Sequence, residues 1–251
     1  MGRFASTVAY YERARQPYSS AFFATVAREL DVGRAHRLID LGTGPGVLAL
    51  GFAPFCGDLT GVDPEPAMIA AARQAARRAG VALRLVEGRV EDLPRDIGSF
   101  DVVTIGRALH WMEPAATRDA LEGLVRNGGV ALICRASTVA EGNPWLSAYD
   151  AVRKRWSEGR ESGRGRIDLD AFFSGTRLRR GPTLAVETEQ STPIERLLDR
   201  ALSMSTSSPE RLGPDEAVFR AALGEALAPF ARDGAIEERV RAQAEVFIRA
   251  S

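Results

Sequence analysis

Residues 38–46 read Leu38-Ile39-Asp40-Leu41-Gly42-Thr43-Gly44-Pro45-Gly46, and the reading of this stretch decides the fold. Leu38, Ile39 and Leu41 form a short apolar run bounded by turn residues, the pattern of a buried parallel strand. The glycines let the backbone turn tightly and approach a ligand closely, since a Cβ would clash there. Val47-Leu48-Ala49-Leu50 then resumes as a helix whose first amides point back at the loop, where an anion is favoured. The spacing is Gly42-x-Gly44-x-Gly46. A dinucleotide fingerprint needs its third glycine one residue later, where Val47 stands, so a nicotinamide oxidoreductase is disfavoured.

Downstream, Leu59–Asp63 reads as a second strand ending in an acid, and Asp63 follows Asp40 by 23 residues. That is close to the spacing at which a carboxylate meets a ribose diol, whose two hydroxyls it can accept together. A helix N-cap is the plainer alternative for Asp63, because Pro64 and Pro66 follow. An alanine-rich helix spans about 66–79 and stops at Gly80. Val81–Glu87 is a third strand, followed by Gly88-Arg89-Val90-Glu91-Asp92-Leu93-Pro94. Phe100–Ile105 is a fourth, followed by Gly106-Arg107-Ala108-Leu109-His110-Trp111-Met112. Pro114 opens a helix to about Arg126, ended by Asn127-Gly128-Gly129, and Val130–Arg135 is a fifth strand. Strict strand–helix alternation predicts a parallel sheet with right-handed crossovers.

Upstream, Ser19 or Ser20 caps a helix to Leu30 with Phe22, Phe23, Val26, Ala27 and Leu30 on one face, and Gly33 ends it. Before it lies Tyr11-Glu12-Arg13-Ala14-Arg15-Gln16-Pro17-Tyr18.

Together these motifs resemble class I S-adenosylmethionine-dependent methyltransferases of the small-molecule, type-11-like kind, such as the trans-aconitate methyltransferase type. The resemblance covers about residues 8–135. It implies a Rossmann-like α/β fold with a seven-stranded, mostly parallel sheet, the last strand antiparallel, helices on both faces and a helical cap. It implies S-adenosylmethionine as cofactor, held by Asp40, Gly42, Thr43, Gly44, Gly46, Asp63, Pro64, Met68, Val90, Glu91, Gly106 and Arg107, with Tyr11 and Arg15 from the N-terminal segment. In the family that segment folds over the cofactor, which makes 1–30 a lid. The stretch 88–94 resembles the family's Gly-Asp-Ala-Glu-x-Leu-Pro loop at the adenine edge, with Arg89 where an acid is common. The stretch 106–112 resembles Gly-Gln-x-Phe-His-Trp-Met, with Arg107 in the glutamine position. His110 is then the candidate base and Arg107 a candidate catalytic and carboxylate-holding residue. A histidine beside a tryptophan is also a packing motif. Tyr10, Tyr18, Trp111, Trp145 and Tyr149 are candidates to line the acceptor.

The expected organisation is one domain over 1–251, with a cofactor core at 31–135 and a cap insertion at 136–231. The cap holds a sixth strand near 184–190, marked by the alternation Leu184, Val186, Thr188. The last strand is expected at 235–249, where Ile236, Val240, Ala242, Ala244, Val246 and Ile248 alternate. His36, among arginines before the first strand, is expected to be exposed.

The 251 residues carry zero formal net charge, so nothing favours broad attraction to nucleic acid. Cys56 and Cys134 form no disulfide framework and no metal-ligand spacing stands out, so no metal is expected. With no signal-like or membrane-spanning run, a cytoplasmic protein is expected, acting on a small-molecule acceptor as a monomer or homodimer. The implied reaction is methyl transfer to an O, N, C or S nucleophile. The rivals are another use of S-adenosylmethionine, such as cyclisation, and a non-catalytic cofactor-binding protein.

Overall fold

The computed structural model describes residues 16–157, 167–204 and 206–250. Tyr10, Tyr11, Arg15 and the first half of the expected lid lie outside them. Seven strands form one sheet: β1 (Arg37–Leu41), β2 (Asp58–Asp63), β3 (Arg84–Glu87), β4 (Phe100–Gly106), β5 (Val125–Thr138), β6 (Leu178–Pro193) and β7 (Ala235–Arg249). Their order is β3-β2-β1-β4-β5-β7-β6. The first five pair in parallel. β7 runs the other way: Glu187 and Glu189 of β6 meet Arg241 and Arg239, while Thr183 meets Glu245, so numbers rise on one strand as they fall on the other. The mostly parallel sheet with an antiparallel last strand is therefore as the sequence reading expects.

The chain divides into two compact units. The first in chain order of its core contains 18–135, 166–186 and 242–251. In it, α1 (Ser20–Glu29) starts where the Ser19 hydroxyl accepts from the Phe22 amide at 3.2 Å. It buries Phe22, Phe23, Val26 and Ala27. Phe23 meets Phe52 of α2 (Val47–Phe52) edge to face, 5.0 Å between centroids, a geometry that adds to plain area burial. α1 ends at Leu30, with Asp31 taking the left-handed conformation at φ 50°, so Gly33 is not its terminator. α3 (Pro66–Ala79) does end on its glycine, Gly80 at φ 65°.

α4 (Pro114–Leu124) stops earlier than its glycines suggest. Val125 is already extended and opens β5. The α4 carboxyl end is capped from a distance instead, by the Arg249 guanidinium donating to the carbonyls of Glu122 and Val125, as cations at helix C-termini do. α6 (Leu169–Phe173) is a short helix in a stretch without legible periodicity; its Phe173 stacks on Phe247 at 3.8 Å. His36 is partly buried, not merely exposed. Its Nδ1 accepts from the Gly33 amide at 2.9 Å, and its Nε2 stands 3.8 Å from Asp101.

The second unit contains 136–165 and 187–241. α5 (Leu146–Ser157), α7 (Ile194–Leu202), α8 (Pro209–Leu212) and α9 (Glu216–Leu227) enclose Trp145, Tyr149, Leu197, Leu198, Leu212, Phe219 and Leu223. At its polar centre Arg200 and Glu238, 1% and 0% exposed at the side chain, form an ion pair through two nitrogens. Thr138, Gln190 and Thr192 also donate to Glu238, at 2.6, 3.1 and 2.9 Å. Burial alone would raise this carboxyl; the Arg200 bond and charge, with Thr138 and Gln190, hold it below the ordinary glutamate value.

The β1 carboxylate Asp40, 1% exposed, is bonded differently. The Thr43 and Thr104 hydroxyls donate to its two oxygens, each at 2.7 Å. Burial pushes its pKa up to about 6 despite those bonds. β6 is an edge strand, and 179–191 contain no buried residue.

Two stability measurements follow. Either Arg200→Met or Glu238→Ala strands a buried partner and is expected to cost about 3–5 kcal/mol in urea denaturation. The double variant should cost clearly less than the sum of the two. Asp40 is protonated more readily folded than unfolded, so its favourable contribution is complete below the unfolded pKa near 3.8 and fades as pH rises through about 6. Relative to Asp40→Asn, the natural protein should therefore lose up to about 3 kcal/mol between pH 4 and pH 7. A pH-independent difference between the two would refute the assignment.

Candidate functional site

The sheet order reverses at β1, which has β2 on one side and β4 on the other. Ligands of open α/β sheets bind beyond the strand ends at such a point. There, Gly42, Gly44 and Gly46 have φ of 67°, 53° and 86°, the left-handed region that only glycine visits freely. Gly42 has a second reason to be glycine. A Cβ on it would stand 2.4 Å from the Ala108 Cβ, and one on Gly106 would stand 2.6 Å from Leu48 Cδ1. The loop after β1 and the segment after β4 are thus in backbone-to-side-chain contact.

Asp63, 7% exposed, ends β2. Its Oδ2 accepts from the Gly44 amide at 2.8 Å and its Oδ1 from the Glu65 amide at 3.0 Å. Burial raises its pKa; the two amide bonds oppose the rise. A carboxylate oxygen has two acceptor positions, so each oxygen retains one for a further donor. The arrangement leaves each oxygen able to take one hydroxyl of a vicinal diol; Asp63 is not the helix cap, because α3 has Glu65 as its N-cap and no side-chain cap bond. Met68 and Val90 are buried. Pro64 is exposed.

Glu91 is committed elsewhere: its Oε1 accepts from the Glu113 amide at 2.9 Å, while Glu113 caps α4 through the Ala115 and Ala116 amides. Thr43, 5% exposed, is fixed between Asp40 and the Val62 carbonyl, to which its amide donates at 2.8 Å. Asp40 itself faces threonines within the sheet, with both oxygens engaged.

After β4, Arg107 is a non-glycine residue at φ 60°, a conformation that costs about 1–2 kcal/mol for an L side chain. Its guanidinium lies 5.2 Å from the centroid of the Tyr18 ring. His110 is partly buried, with its ring 4.8 Å from that of Trp111, and Trp111 is 46% exposed. Gly106, Arg107, Tyr18, His110 and Trp111 therefore share one neighbourhood with the glycine loop. Trp145 and Tyr149 do not join it. They are 1% and 3% exposed in the helical core of the other unit, where the indole donates to Asn143 at 3.1 Å and the phenol to the Leu197 carbonyl at 3.2 Å.

Sequence reasoning misses Thr104 and Glu113. Threonine in a strand is ordinary β composition, so nothing in the sequence marks Thr104 as the partner of Asp40. Among the described residues no group of three or more His, Cys, Asp or Glu side chains is placed to hold a metal ion. No described helix is long and apolar enough to cross a membrane.

A family model described as a methyltransferase domain matches residues 38–128, the span from β1 to the start of β5. An uncharacterized methyltransferase of Mycobacterium tuberculosis is 32% identical over 126 residues, 50% of this chain and 49% of that protein. The chain thus spans about half the length of the curated relatives it matches. The crystal structure of the YcgJ protein from Bacillus subtilis superposes with a TM-score of 0.58 at 20% identity, covering 93% of this chain and 100% of that one. An S-adenosylmethionine-dependent methyltransferase from Thiobacillus denitrificans, solved in complex with S-adenosyl-L-homocysteine, gives 0.57 at 17%, covering 99% of each. At such identities the structures bear on fold alone. The left-handed glycine loop, the buried Asp63 at the end of β2 and the matched span fall together: residues 38–128 of this chain match a methyltransferase domain.

Proposed function

We propose that the chain transfers the methyl group of S-adenosylmethionine to a small-molecule acceptor. The observation that carries this reading is Asp63, oriented by the Gly44 and Glu65 amides beside three left-handed glycines. In this reading Asp63 accepts from both ribose hydroxyls. The backbone of Gly42, Gly44 and Gly46 makes room for the methionine part, with Asp40 and Thr43 bracing the loop from behind. Met68 and Val90 flank the adenine; Pro64 and Glu91 shape the turns around it. Gly106 permits the close approach of Leu48 and Tyr18, and Arg107 holds a carboxylate of the cofactor or of the acceptor.

Bound there, the cofactor supplies a methyl carbon already activated by its positive sulfur, so the protein's task is chiefly alignment. His110 is the candidate to take the proton that a hydroxyl or amine acceptor gives up. A neutral imidazole accepts a proton near neutral pH without special tuning. Tyr10, Tyr11 and Arg15 would act from the N-terminal segment.

Calorimetry with S-adenosylmethionine and with NAD separates the two glycine-loop chemistries. Asp63→Ala should weaken S-adenosylmethionine binding by about 1.5–3 kcal/mol, the value of hydrogen bonds to a charged group, with the fold retained by circular dichroism. Tight NAD binding without S-adenosylmethionine binding would overturn the proposal. With a hydroxyl acceptor, His110→Ala should lower kcat by about 10²–10⁴ and abolish the acidic limb of the pH–rate profile. An unchanged acidic limb would leave His110 a packing residue.

A further inference from the structure

The sheet ends in two edge strands, β3 and β6. Along β6 the charges are neutralised within the chain: Arg180 meets Asp170 and Glu245, Glu187 meets Arg241, and Glu189 meets Arg239. The β3 edge is different. Residues 73–89 run from the second half of α3 through β3, and they hold five arginines against one acid, Glu87, in a chain of zero net charge. Arg73, Arg77, Arg78, Arg84 and Arg89 are all exposed, and none has a carboxylate partner among the described residues.

The fold gathers these charges. α3 packs on β2 and β3. Arg73 and Arg77 stand one turn apart on it, next to the buried Ala72 and Ala76. The Val81 amide donates to the Ala76 carbonyl at 3.0 Å, which turns the chain back at once toward β3. Arg84 opens β3 opposite Thr60 of β2. A helix C-terminus favours cations, which accounts for Arg77 and Arg78; it does not account for Arg73, Arg84 or Arg89. Leu85 and Val86 are only half-buried, since no strand among the described residues lies beyond them. An edge strand also turns unpaired N–H and C=O groups outward.

The chemistry of this edge narrows what it can take. Residues 64–98 contain no aromatic side chain and no histidine, so a nucleic acid finds no ring to stack on. None of the large apolar side chains exposed among the described residues lies on α3 or β3, so nothing there enters a bilayer. A second copy of β3 would bring arginine against arginine. A strand of opposite charge meets no such obstacle: its main chain pairs with the edge, and guanidinium groups take carboxylates in a planar, two-bond fit.

We propose that the β3 edge is a docking surface for an acidic, extended segment of a partner protein, which adds as a strand beside β3 with its carboxylates against the arginines of α3 and β3. The surface is independent of the methyl-transfer reading.

Fluorescence anisotropy tests this with a labelled peptide of alternating glutamate and threonine, about eight residues long, the length of an ordinary strand. It should bind about ten-fold or more tightly than the same peptide N-methylated at every residue, which keeps the charge and loses the strand hydrogen bonds. The triple variant Arg73→Gln/Arg77→Gln/Arg78→Gln should weaken binding by about ten-fold, the sum of three modest surface ion pairs. Arg84→Gln should weaken it in the same direction. Lys154→Gln/Arg155→Gln/Arg232→Gln removes as many exposed cations elsewhere and should leave binding unchanged. Every substituted side chain is exposed, so each variant should unfold at the urea concentration of the natural protein. No binding of the peptide, equal binding of its N-methylated form, or equal loss in the two triple variants overturns the proposal. So does tighter binding of an oligothymidylate or of phosphatidylserine vesicles through the same arginines, which would assign the edge to a nucleic acid or a membrane.

Discussion

Everything at the strand ends depends on one buried carboxylate. Asp40 accepts a hydroxyl hydrogen from the loop that follows its own strand, through Thr43, and another from the neighbouring strand, through Thr104. Those two bonds tie β1, the glycine loop and β4 together at the place where the crevice opens. Without them a loop with three left-handed glycines would have many conformations of similar energy, since glycine gives up more freedom on ordering than any other residue. The same loop then presents the Gly44 amide to Asp63 and so carries the order across to β2. A buried acid whose charged form is disfavoured is a costly device. It is retained here at the residue that braces the loop whose Gly44 amide donates to Asp63.

The alternation of short apolar runs with helices was enough to read five parallel strands, because burial on both faces leaves an unbroken apolar signature in residues such as Leu38–Leu41 and Val102–Ile105. The left-handed turn after β1 and its bond to the acid at the end of β2 were legible for the same reason: few residue types satisfy the backbone and hydrogen-bond demands there. Where the sequence misled, the determinants lay far along the chain. The end of α4 is set by Arg249, not by the adjacent Gly128 and Gly129. The sixth strand, expected near 184–190, already begins at Leu178, because residues 179–183 lie on an edge strand, none of them buried, and show no apolar period. Trp145 and Tyr149 illustrate the opposite hazard. An aromatic pair at helical spacing can be read as a ligand wall, yet these rings meet each other edge to face at 5.7 Å inside a helical core.

The two units solve polar burial in different ways. Around Glu238, five donors from Arg200, Thr138, Gln190 and Thr192 converge on two oxygens, and the charged form is favoured. Around Asp40, two neutral hydroxyls leave desolvation dominant. A fully compensated charge is rigid and specific but strongly destabilising to disturb on one side only; a weakly compensated one can change protonation near neutrality. The first suits a scaffold that ties three strands and a helix. The second stands where β1 runs into the glycine loop, the place where the sheet order reverses.

The place of β7 in the sheet has a consequence for how the chain is made. β7 lies between β5 and β6 although it is the last strand in sequence. During synthesis the outer edge of β5 therefore stays without a neighbour until residues 235–249 have left the ribosome, and β6 has no place in the sheet before then. Unpaired edges are templates for association with other chains. β6 carries its own guards, with Pro182 in mid-strand and Arg179, Arg180, Glu187 and Glu189 along it, but Val130–Ile133 of β5 has none. The nascent polypeptide thus passes through an interval in which its central strands are formed and one apolar flank is open, and closing that interval falls to β7.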